Sequence, residues 1–304
     1  MINENFKGHL AAISANLIFG LNMSISKSFL GASWMSPIGF SIIRMFIGLA
    51  FFWIISFFMP REKTAGRDIL IIITGGLLGL AGTQVTFAFG IRFVSPVIWS
   101  LIAALGPIFV LLFSALFLGE TISVKKAIGV ITGISGAILV VLRNRSGGAY
   151  SSSVFGICCA LFGVTGYAAY IVITRKVSAK YTPVTLTKWM FLASFILLFP
   201  LGIQELPDQS IFSQELTLLP ILQLGFSILF SSILAYCLIP VALKRIKATT
   251  LIMYSNLLPL AASSSAIIIG QDVFTWDKPL ALLLVIAGIY IVTQSQSPEN
   301  KEKT

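Results

Sequence analysis

The chain has 304 residues, of which 57% are hydrophobic and only 11% are charged, and its mean hydropathy is +0.95. A soluble domain carries about 25% charged residues, so this composition excludes a water-soluble globule and indicates a protein whose solvent is lipid. A net charge of +10 is also typical of nucleic-acid-binding proteins, but here the basic residues lie between apolar runs rather than in one patch, which excludes that class. The three cysteines lie inside apolar stretches and form neither a disulfide framework nor a metal-binding spacing.

Ten apolar runs with few charges are long enough to cross a bilayer, whose apolar core of about 30 Å takes roughly 20 helical residues. The runs are continuous and do not alternate in polarity, which is typical of membrane helices rather than barrel strands. The first run predicts a span and not a cleavable signal peptide, because its apolar core is too long and no cleavage site leads into a soluble domain. We therefore predict an all-α membrane protein with ten transmembrane helices, at 8–27, 37–59, 69–91, 95–118, 124–142, 153–174, 184–203, 217–240, 249–270 and 278–294.

The distribution of Lys and Arg between the loops predicts the orientation of these helices. With the N-terminus assigned to the cytoplasm, 14 basic residues fall on the cytoplasmic side and 5 on the outer side, while Arg44 and Lys188 lie within spans. Short cytoplasmic loops are enriched in basic residues. We therefore predict a multi-pass protein of the inner, or plasma, membrane with both termini in the cytoplasm.

The two halves of the chain share the spacing of special residues. A shift of 152 residues superposes Pro107 on Pro259, and a shift of 148 residues pairs Phe19 with Tyr167. Because five spans is an odd number, tandem copies of five would cross the membrane in opposite orientations, a recurring plan of secondary transporters. A proline inside a span frees a backbone carbonyl and lets the helix bend. We predict that Pro107 and Pro259 bend their helices in this way.

The sequence contains a set of short motifs: Phe19-Gly20-Leu21-Asn22 with Lys27, Pro37 with Arg44, Gly106-Pro107, Leu118-Gly119-Glu120, Gly129 and Gly136. These motifs resemble those of EamA domains of the drug/metabolite transporter superfamily. The resemblance covers two domains, 8–142 and 152–294, followed by a polar tail at 295–304 that we expect to be cytoplasmic. It implies two inverted five-helix repeats around a central cavity and the movement of small metabolites, often outward. The second copy departs from the first, because Gln271-Asp272 replaces a Gly-Glu pair.

Acidic residues are absent from the centres of the predicted spans. All 11 Asp and Glu residues lie in loops or at span ends, and the only histidine, His9, lies at the start of the first span. Proton antiporters usually need an ionisable group at membrane depth, so the sequence favours a facilitator or coupling without a buried acid. It also argues against an intramembrane enzyme. A metalloprotease needs two histidines and an acid, and a serine protease needs a histidine that activates its hydroxyl, and one peripheral histidine supplies neither. We expect neither a cofactor nor a metal.

Arg44 is the most informative charged residue within a span, about 10 Å below the predicted outer interface. A guanidinium at this depth can bind a carboxylate through two hydrogen bonds. The alternative is an arginine that extends toward the interface or binds carbonyl groups at a helix end. Lys188 is expected to extend toward the interface.

Other polar and aromatic side chains at membrane depth are candidates for the wall of the cavity. Those of the predicted outer half are mostly polar and those of the inner half mostly aromatic, so we predict a cavity with a polar, positive outer end and an apolar, aromatic inner end. For each side chain the alternative is packing between helices or a place in an interfacial aromatic belt. The candidate substrate-binding residues are Asn22, Arg44, Gln84, Trp99, Ser100, Tyr167, Tyr170, Trp189, Tyr236, Tyr254 and Asn256.

The sequence thus predicts a secondary carrier that moves a small organic metabolite, such as an amino acid or another amphipathic carboxylate, outward by alternating access. Two alternatives remain open: a flippase for lipid headgroups or glycolipids, and a membrane scaffold that transports nothing. The expected partners are a small-molecule substrate and the lipid bilayer. The spacings of Gly129 with Gly133 and of Gly75 with Gly79 indicate close helix packing within a monomer, with a homodimer interface as the alternative.

Overall fold

The computed structural model describes residues 4–93, 99, 102–103, 105–119, 122–143, 154–213, 217–268 and 276–294. Within them the regular structure is helical, and six helices are long and apolar enough to cross a membrane. This confirms a multi-pass, all-α fold; the six helices correspond to predicted spans 1 to 3 and 6 to 8. In chain order the helices are α1 (Glu4–Gly31), α2 (Pro37–Phe57), α3 (Gly66–Phe93), α4 (Gly106–Leu118), α5 (Val124–Arg143), α6 (Val154–Lys180), α7 (Pro183–Gly202), α8 (Leu218–Leu243), α9 (Ala248–Met253, Tyr254–Leu257 and Leu258–Ile268) and α10 (Asp277–Gln294).

α2 and α7 begin with the same local device. Ser36 Oγ accepts a hydrogen bond from Gly39 N at 3.0 Å, and Thr182 Oγ1 accepts one from Thr185 N at 3.4 Å. A proline follows each cap. Its missing N–H costs nothing in the first helical turn, and its fixed φ suits the helix. The local sequence therefore determines where both helices start.

α3 and α8 each contain a π-helical segment near the middle, Leu77–Gly82 and Ser227–Leu234. Such segments displace the backbone hydrogen-bond ladder and are frequent at functional sites. Gly79 lies in the first of them, and a Cβ at this position would approach Cγ of Tyr170 to 2.2 Å. Glycine is therefore required here for α6 to pack closely against α3.

The helices pack in pairs that join the two halves of the chain. α5 packs against α10, α2 against α7, α3 against α6 and α1 against α8, and there are further contacts of α1 with α9 and of α4 with α6. Apolar side chains from both halves, such as Ile42, Phe191 and Ile239, belong to one buried cluster. The main core therefore lies between the halves rather than within each half.

Polar contacts of the loops place several helix termini at one end of the bundle. Arg245 Nε donates to Glu4 Oε2 at 3.0 Å, and Thr182 N donates to Glu62 Oε2 at 3.0 Å. Burial acts to raise the pKa of the Glu62 carboxyl, but hydrogen bonds from threonine side chains and backbone, with the charge of Lys244, bring the net pKa below its ordinary value. The start of α1 and the loop before α3 therefore lie at the end of the bundle where α6 and α8 finish.

The opposite end is held by the loop between α1 and α2. Ser36 Oγ donates to Glu205 Oε2 at 2.8 Å, and Gln209 Oε1 accepts from the Ser36 backbone N–H. The end of α1, the start of α2 and the end of α7 therefore meet here. α1 and α2 run in opposite directions, as two consecutive membrane spans must.

We predict that Lys63 and Ala32 lie on opposite sides of the membrane. Both are exposed, Lys63 between α2 and α3 and Ala32 after α1. Single cysteines at these positions, in a variant without the three native cysteines, are to be labelled in intact cells with an impermeant maleimide. Ala32→Cys should react before permeabilisation and Lys63→Cys only after it, because the basic loops are predicted to be cytoplasmic. Labelling of both from the same side would contradict this topology.

We also predict that Gly288→Ala disrupts the pairing of α5 with α10. A Cβ at Gly288 would lie 2.6 Å from Gly133 N and 2.7 Å from Gly129 O, and these backbone atoms cannot rotate away. The expected loss is about 1 to 3 kcal/mol of stability, measured as a lower midpoint of thermal unfolding in detergent. Gly225→Ala is the matched control, because no atom of another described helix lies within 4 Å of its added Cβ. Equal midpoints for the two variants would refute the close approach.

Candidate functional site

A cavity lies where α1, α3, α6 and α8 meet, and residues of α4 and α9 complete its wall. Its volume is about 770 Å³ including its opening, and no charged residue is among the described residues that line it. A concave, mostly apolar site between the helices of a bundle is a common setting for a small organic ligand. The lining residues are Phe19, Asn22, Met23, Thr83, Gln84, Phe87, Trp99, Ala103, Gly106, Gly163, Val164, Tyr167, Ser231, Tyr236, Ile252, Ser255 and Leu258.

Aromatic rings form much of this wall. The Phe19 ring lies edge-on to Tyr236 with 5.4 Å between centroids, and to Tyr167 with 6.4 Å. Phe87 and Trp99 make a similar edge contact at 5.3 Å. Such pairs are rigid and apolar, so the wall is suited to the hydrocarbon or aromatic part of a ligand.

Arg44 lies directly behind the wall and is 1% exposed. Its guanidinium donates from Nε to Ser232 Oγ at 2.7 Å, from Nη1 to Gln84 Oε1 at 2.7 Å and from Nη2 to Ser231 Oγ at 3.0 Å. It also lies 5.0 Å from the centre of the Phe40 ring. The described residues supply no carboxylate to this group, so its partners are neutral dipoles.

The hydrogen bonds of Arg44 continue into the cavity wall. Because Gln84 Oε1 faces Arg44, Gln84 Nε2 faces away and donates to Tyr236 Oη at 3.2 Å. Tyr236 Oη in turn donates to Gly79 O at 3.0 Å, within the π-helical segment of α3. The network fixes the orientation of the Gln84 amide and links α2, α3 and α8 at the cavity.

Three polar atoms of the wall have no hydrogen-bond partner among the described residues: Asn22 Oδ1, Tyr167 Oη and Ser255 Oγ. Asn22 is 4% exposed and Ser255 is 6% exposed. A buried polar atom without a partner is costly. These atoms are therefore available to hydrogen-bonding groups of a ligand.

Five predicted site residues lie in the cavity wall: Asn22, Gln84, Trp99, Tyr167 and Tyr236. Ser100, also predicted, lies outside the described residues.

Arg44 was expected to face the substrate, and the structure instead places it behind Gln84 and Ser231. Gln84, from the predicted polar end, is bonded directly to Tyr236, from the predicted aromatic end. The two predicted ends of the cavity therefore adjoin at this hydrogen bond, and their separation stays a prediction. Helix rotation, which the sequence does not specify, determines which way the Arg44 side chain points.

The remaining predicted residues lie away from the wall. Tyr170 packs against Gly79, and Trp189 lies edge-on to Trp53 with 5.7 Å between ring centroids. Lys188 Nζ lies 5.5 Å from the centre of the Trp53 ring. An aromatic pair with an adjacent ammonium group accounts for Trp189 without a ligand.

In α9, Tyr254 Oη is 2.7 Å from His9 Nδ1, a contact that joins α9 to the start of α1. Asn256 is fully buried, and both of its side-chain polar atoms lack a described partner. It faces Gly133 of α5, where an added Cβ would lie 2.6 Å from Asn256 Nδ2. Asn256 therefore packs between helices, and it is not among the residues that line the cavity.

Pro107 and Pro259 each occupy the second position of a helical segment, Gly106–Phe113 and Leu258–Ile268. Leu105 precedes the first segment as a turn, and a 3₁₀ turn, Tyr254–Leu257, precedes the second. Proline is well suited to a first helical turn. The bending role of these prolines stays a prediction.

Sequence reasoning missed several wall residues, among them Thr83, Ser231 and Ser255. A signal for Ser231 was present, because Ser231-Ser232 is a pair of adjacent hydroxyls inside a long run without charged residues. Two adjacent hydroxyls in such a run are available to a charged group on another helix.

We predict that Tyr236→Phe destabilises the protein by about 1 to 3 kcal/mol, because it removes the partner of Gln84 Nε2 and the donor to Gly79 O. Tyr170→Phe is the control. Tyr170 is equally buried, but its hydroxyl has no partner among the described residues, so its loss should cost little. Thermal unfolding of the purified proteins in one detergent measures the difference. A Tyr170→Phe variant as unstable as Tyr236→Phe would contradict the network.

Comparison with known proteins agrees with this architecture. The model of the EamA-like transporter family matches residues 6–142 and 154–294. One solved crystal structure superposes with a TM-score of 0.75 at 19% identity, covering 94% of this chain and 96% of that one. At this identity the likeness shows the fold alone.

Two curated relatives are similar over nearly their whole length. A protein of Archaeoglobus fulgidus named "Uncharacterized transporter" is 27% identical over 86% of this chain and 91% of its own. The "Uncharacterized transporter YyaM" of Bacillus subtilis is 22% identical over 92% of each chain. The family match covers both halves of the sequence and confirms the resemblance indicated by the sequence motifs. The family and the names of the relatives point to a transporter rather than an enzyme. The chain belongs to the EamA-like transporter family, and it is a multi-pass membrane transporter.

Proposed function

We propose that this protein is a secondary carrier for a small organic metabolite, with ten transmembrane helices arranged as two inverted five-helix repeats. The proposal rests on the central cavity, whose wall combines residues of both halves of the chain. A binding site at the interface of two inverted repeats is a common arrangement among carriers that work by alternating access. Rocking of one bundle against the other would open the same site first to one side and then to the other.

Equivalent features of the two halves support the inverted repeat. The caps Ser36 and Thr182 are 146 residues apart and begin α2 and α7, which pack against each other. α3 begins at the end of the bundle where α8 finishes, as repeats of opposite orientation should. The pairing of α1 with α8 is matched by that of α6 with α3, and the pairing of α1 with α9 by that of α6 with α4.

Contacts between equivalent side chains support the same proposal. Phe19 contacts Tyr167, its partner at a shift of 148 residues, and Gln84 is bonded to Tyr236, its partner at a shift of 152. Residues related by a twofold axis touch each other only close to that axis. The proposed axis therefore passes through the cavity.

The chemistry of the cavity favours an amphipathic carboxylate, such as an amino acid with an apolar side chain. The aromatic wall fits an apolar body, and the cationic Arg44 behind the wall favours negative charge. Unpartnered oxygens at Asn22 and Tyr167 can accept hydrogen bonds from an ammonium or amide group. We propose export as the direction of movement, as the family resemblance suggests.

Counterflow in liposomes tests this function. Purified protein is reconstituted into liposomes loaded with one of a panel of amino acids and small carboxylates, and uptake of the labelled compound is followed. We expect counterflow with at least one amphipathic carboxylate, and no uphill uptake from a proton gradient alone, because the acidic residues lie in loops or at span ends. Uphill uptake driven by such a gradient would overturn the coupling scheme.

The same vesicles separate the two alternatives. A lipid flippase would move a labelled lipid between leaflets without counterflow of soluble compounds, and a scaffold would support neither process. Either result would contradict the proposed carrier. Empty liposomes are the control for leakage.

A further inference from the structure

Ser231 and Ser232 are adjacent and both accept hydrogen bonds from Arg44, but they differ in the further hydrogen bonds that they can form. Ser232 Oγ donates its own proton to Ser227 O at 3.1 Å and is not among the residues lining the cavity. Ser231 lines the cavity, and no described residue accepts its proton. A hydroxyl has one donor and two acceptor positions, so Ser231 can bind Arg44 and a ligand at the same time.

The charge of Arg44 makes this hydroxyl a particular kind of donor. A guanidinium stays protonated in proteins, and a buried cation that lacks a counterion is costly. A hydroxyl that accepts from a cation is polarised and becomes a stronger donor, most of all toward an anion. A carboxylate at Ser231 would therefore neutralise Arg44 through one intervening hydroxyl.

We infer that Ser231 is a specificity-determining residue that conveys the charge of Arg44 to the cavity and selects a small carboxylate with an apolar body. Arg44 donates to Ser231, and Ser231 donates to a carboxylate oxygen of the substrate. This inference rests on the proposed carrier function and replaces direct contact of Arg44 with the substrate. An uncharged amide of the same shape would gain less, because it brings no negative charge to Arg44.

Binding calorimetry on the purified full chain in detergent tests the inference with two probes of nearly equal shape, 3-phenylpropionate and 3-phenylpropanamide. Wild-type protein should bind the acid more tightly than the amide. Ser231→Ala should weaken binding of the acid about tenfold and change that of the amide much less. Ser231→Thr, which keeps a hydroxyl, should restore most of the preference.

Ser227→Ala is the matched control, because it removes a buried hydroxyl one turn before Ser231 on α8 that neither lines the cavity nor bonds to Arg44 or to any other described residue. It should leave the ratio of the two affinities near that of the wild type. Equal loss of acid binding in Ser231→Ala and Ser227→Ala, equal loss for both probes, or a wild type that does not prefer the acid would each overturn the inference. Counterflow in liposomes tests the carrier function separately from the role of Ser231. Its failure for the whole panel would remove the carrier function itself.

Discussion

The hydrogen bonds of Arg44 are the interaction on which the architecture of the site depends. One buried cation holds an amide of α3 and two hydroxyls of α8, at distances of 2.7 to 3.0 Å. Hydrogen bonds to charged groups contribute about 1.5 to 3 kcal/mol each, and a buried guanidinium without them would be strongly destabilising. Because the three partners lie on two helices from different halves of the chain, the position of Arg44 on α2 fixes how the halves meet. This arrangement of the helices also shapes the cavity wall, since Gln84 and Ser231 bond to Arg44 and also line the cavity.

Glycines that let neighbouring helices approach closely also shape the site. Gly79 admits the Tyr170 ring, and the π-helical segment around it presents the carbonyl to which Tyr236 donates. Gly129 and Gly133 face α9 and α10 of the same chain, so the small-residue spacings that allowed a dimer interface serve packing within the monomer at these positions. Closely packed helices with discrete alternative arrangements are what a rocking-bundle carrier needs, because packed interfaces move as units.

Much of the fold could be predicted because its signals are local. Apolar run length identified the six helices that are long and apolar enough to cross a membrane, and the Ser-Pro and Thr-Pro pairs that start α2 and α7 act within one helical turn. The depth of Arg44 was also readable, but its direction was not, because a rotation of α2 by part of a turn decides whether the guanidinium meets a ligand or a serine. Trp189 and Tyr170 lie outside the cavity lining for the same reason. The Ser231-Ser232 pair marks a polar point on α8, but hydroxyls in membrane helices often bond to their own backbone, and the contact with Arg44 forms only when α8 packs against α2.

In the proposed carrier, a positive charge behind the wall, rather than a charge within it, sets the preference of the cavity. The ratio of the affinities for 3-phenylpropionate and 3-phenylpropanamide in folded Arg44→Gln protein tests this arrangement. Glutamine can still form hydrogen bonds with neighbouring polar groups but carries no charge, so we expect the preference for the acid to disappear while binding of the amide persists. An undiminished preference for the acid in this variant would show that the charge of Arg44 does not set it.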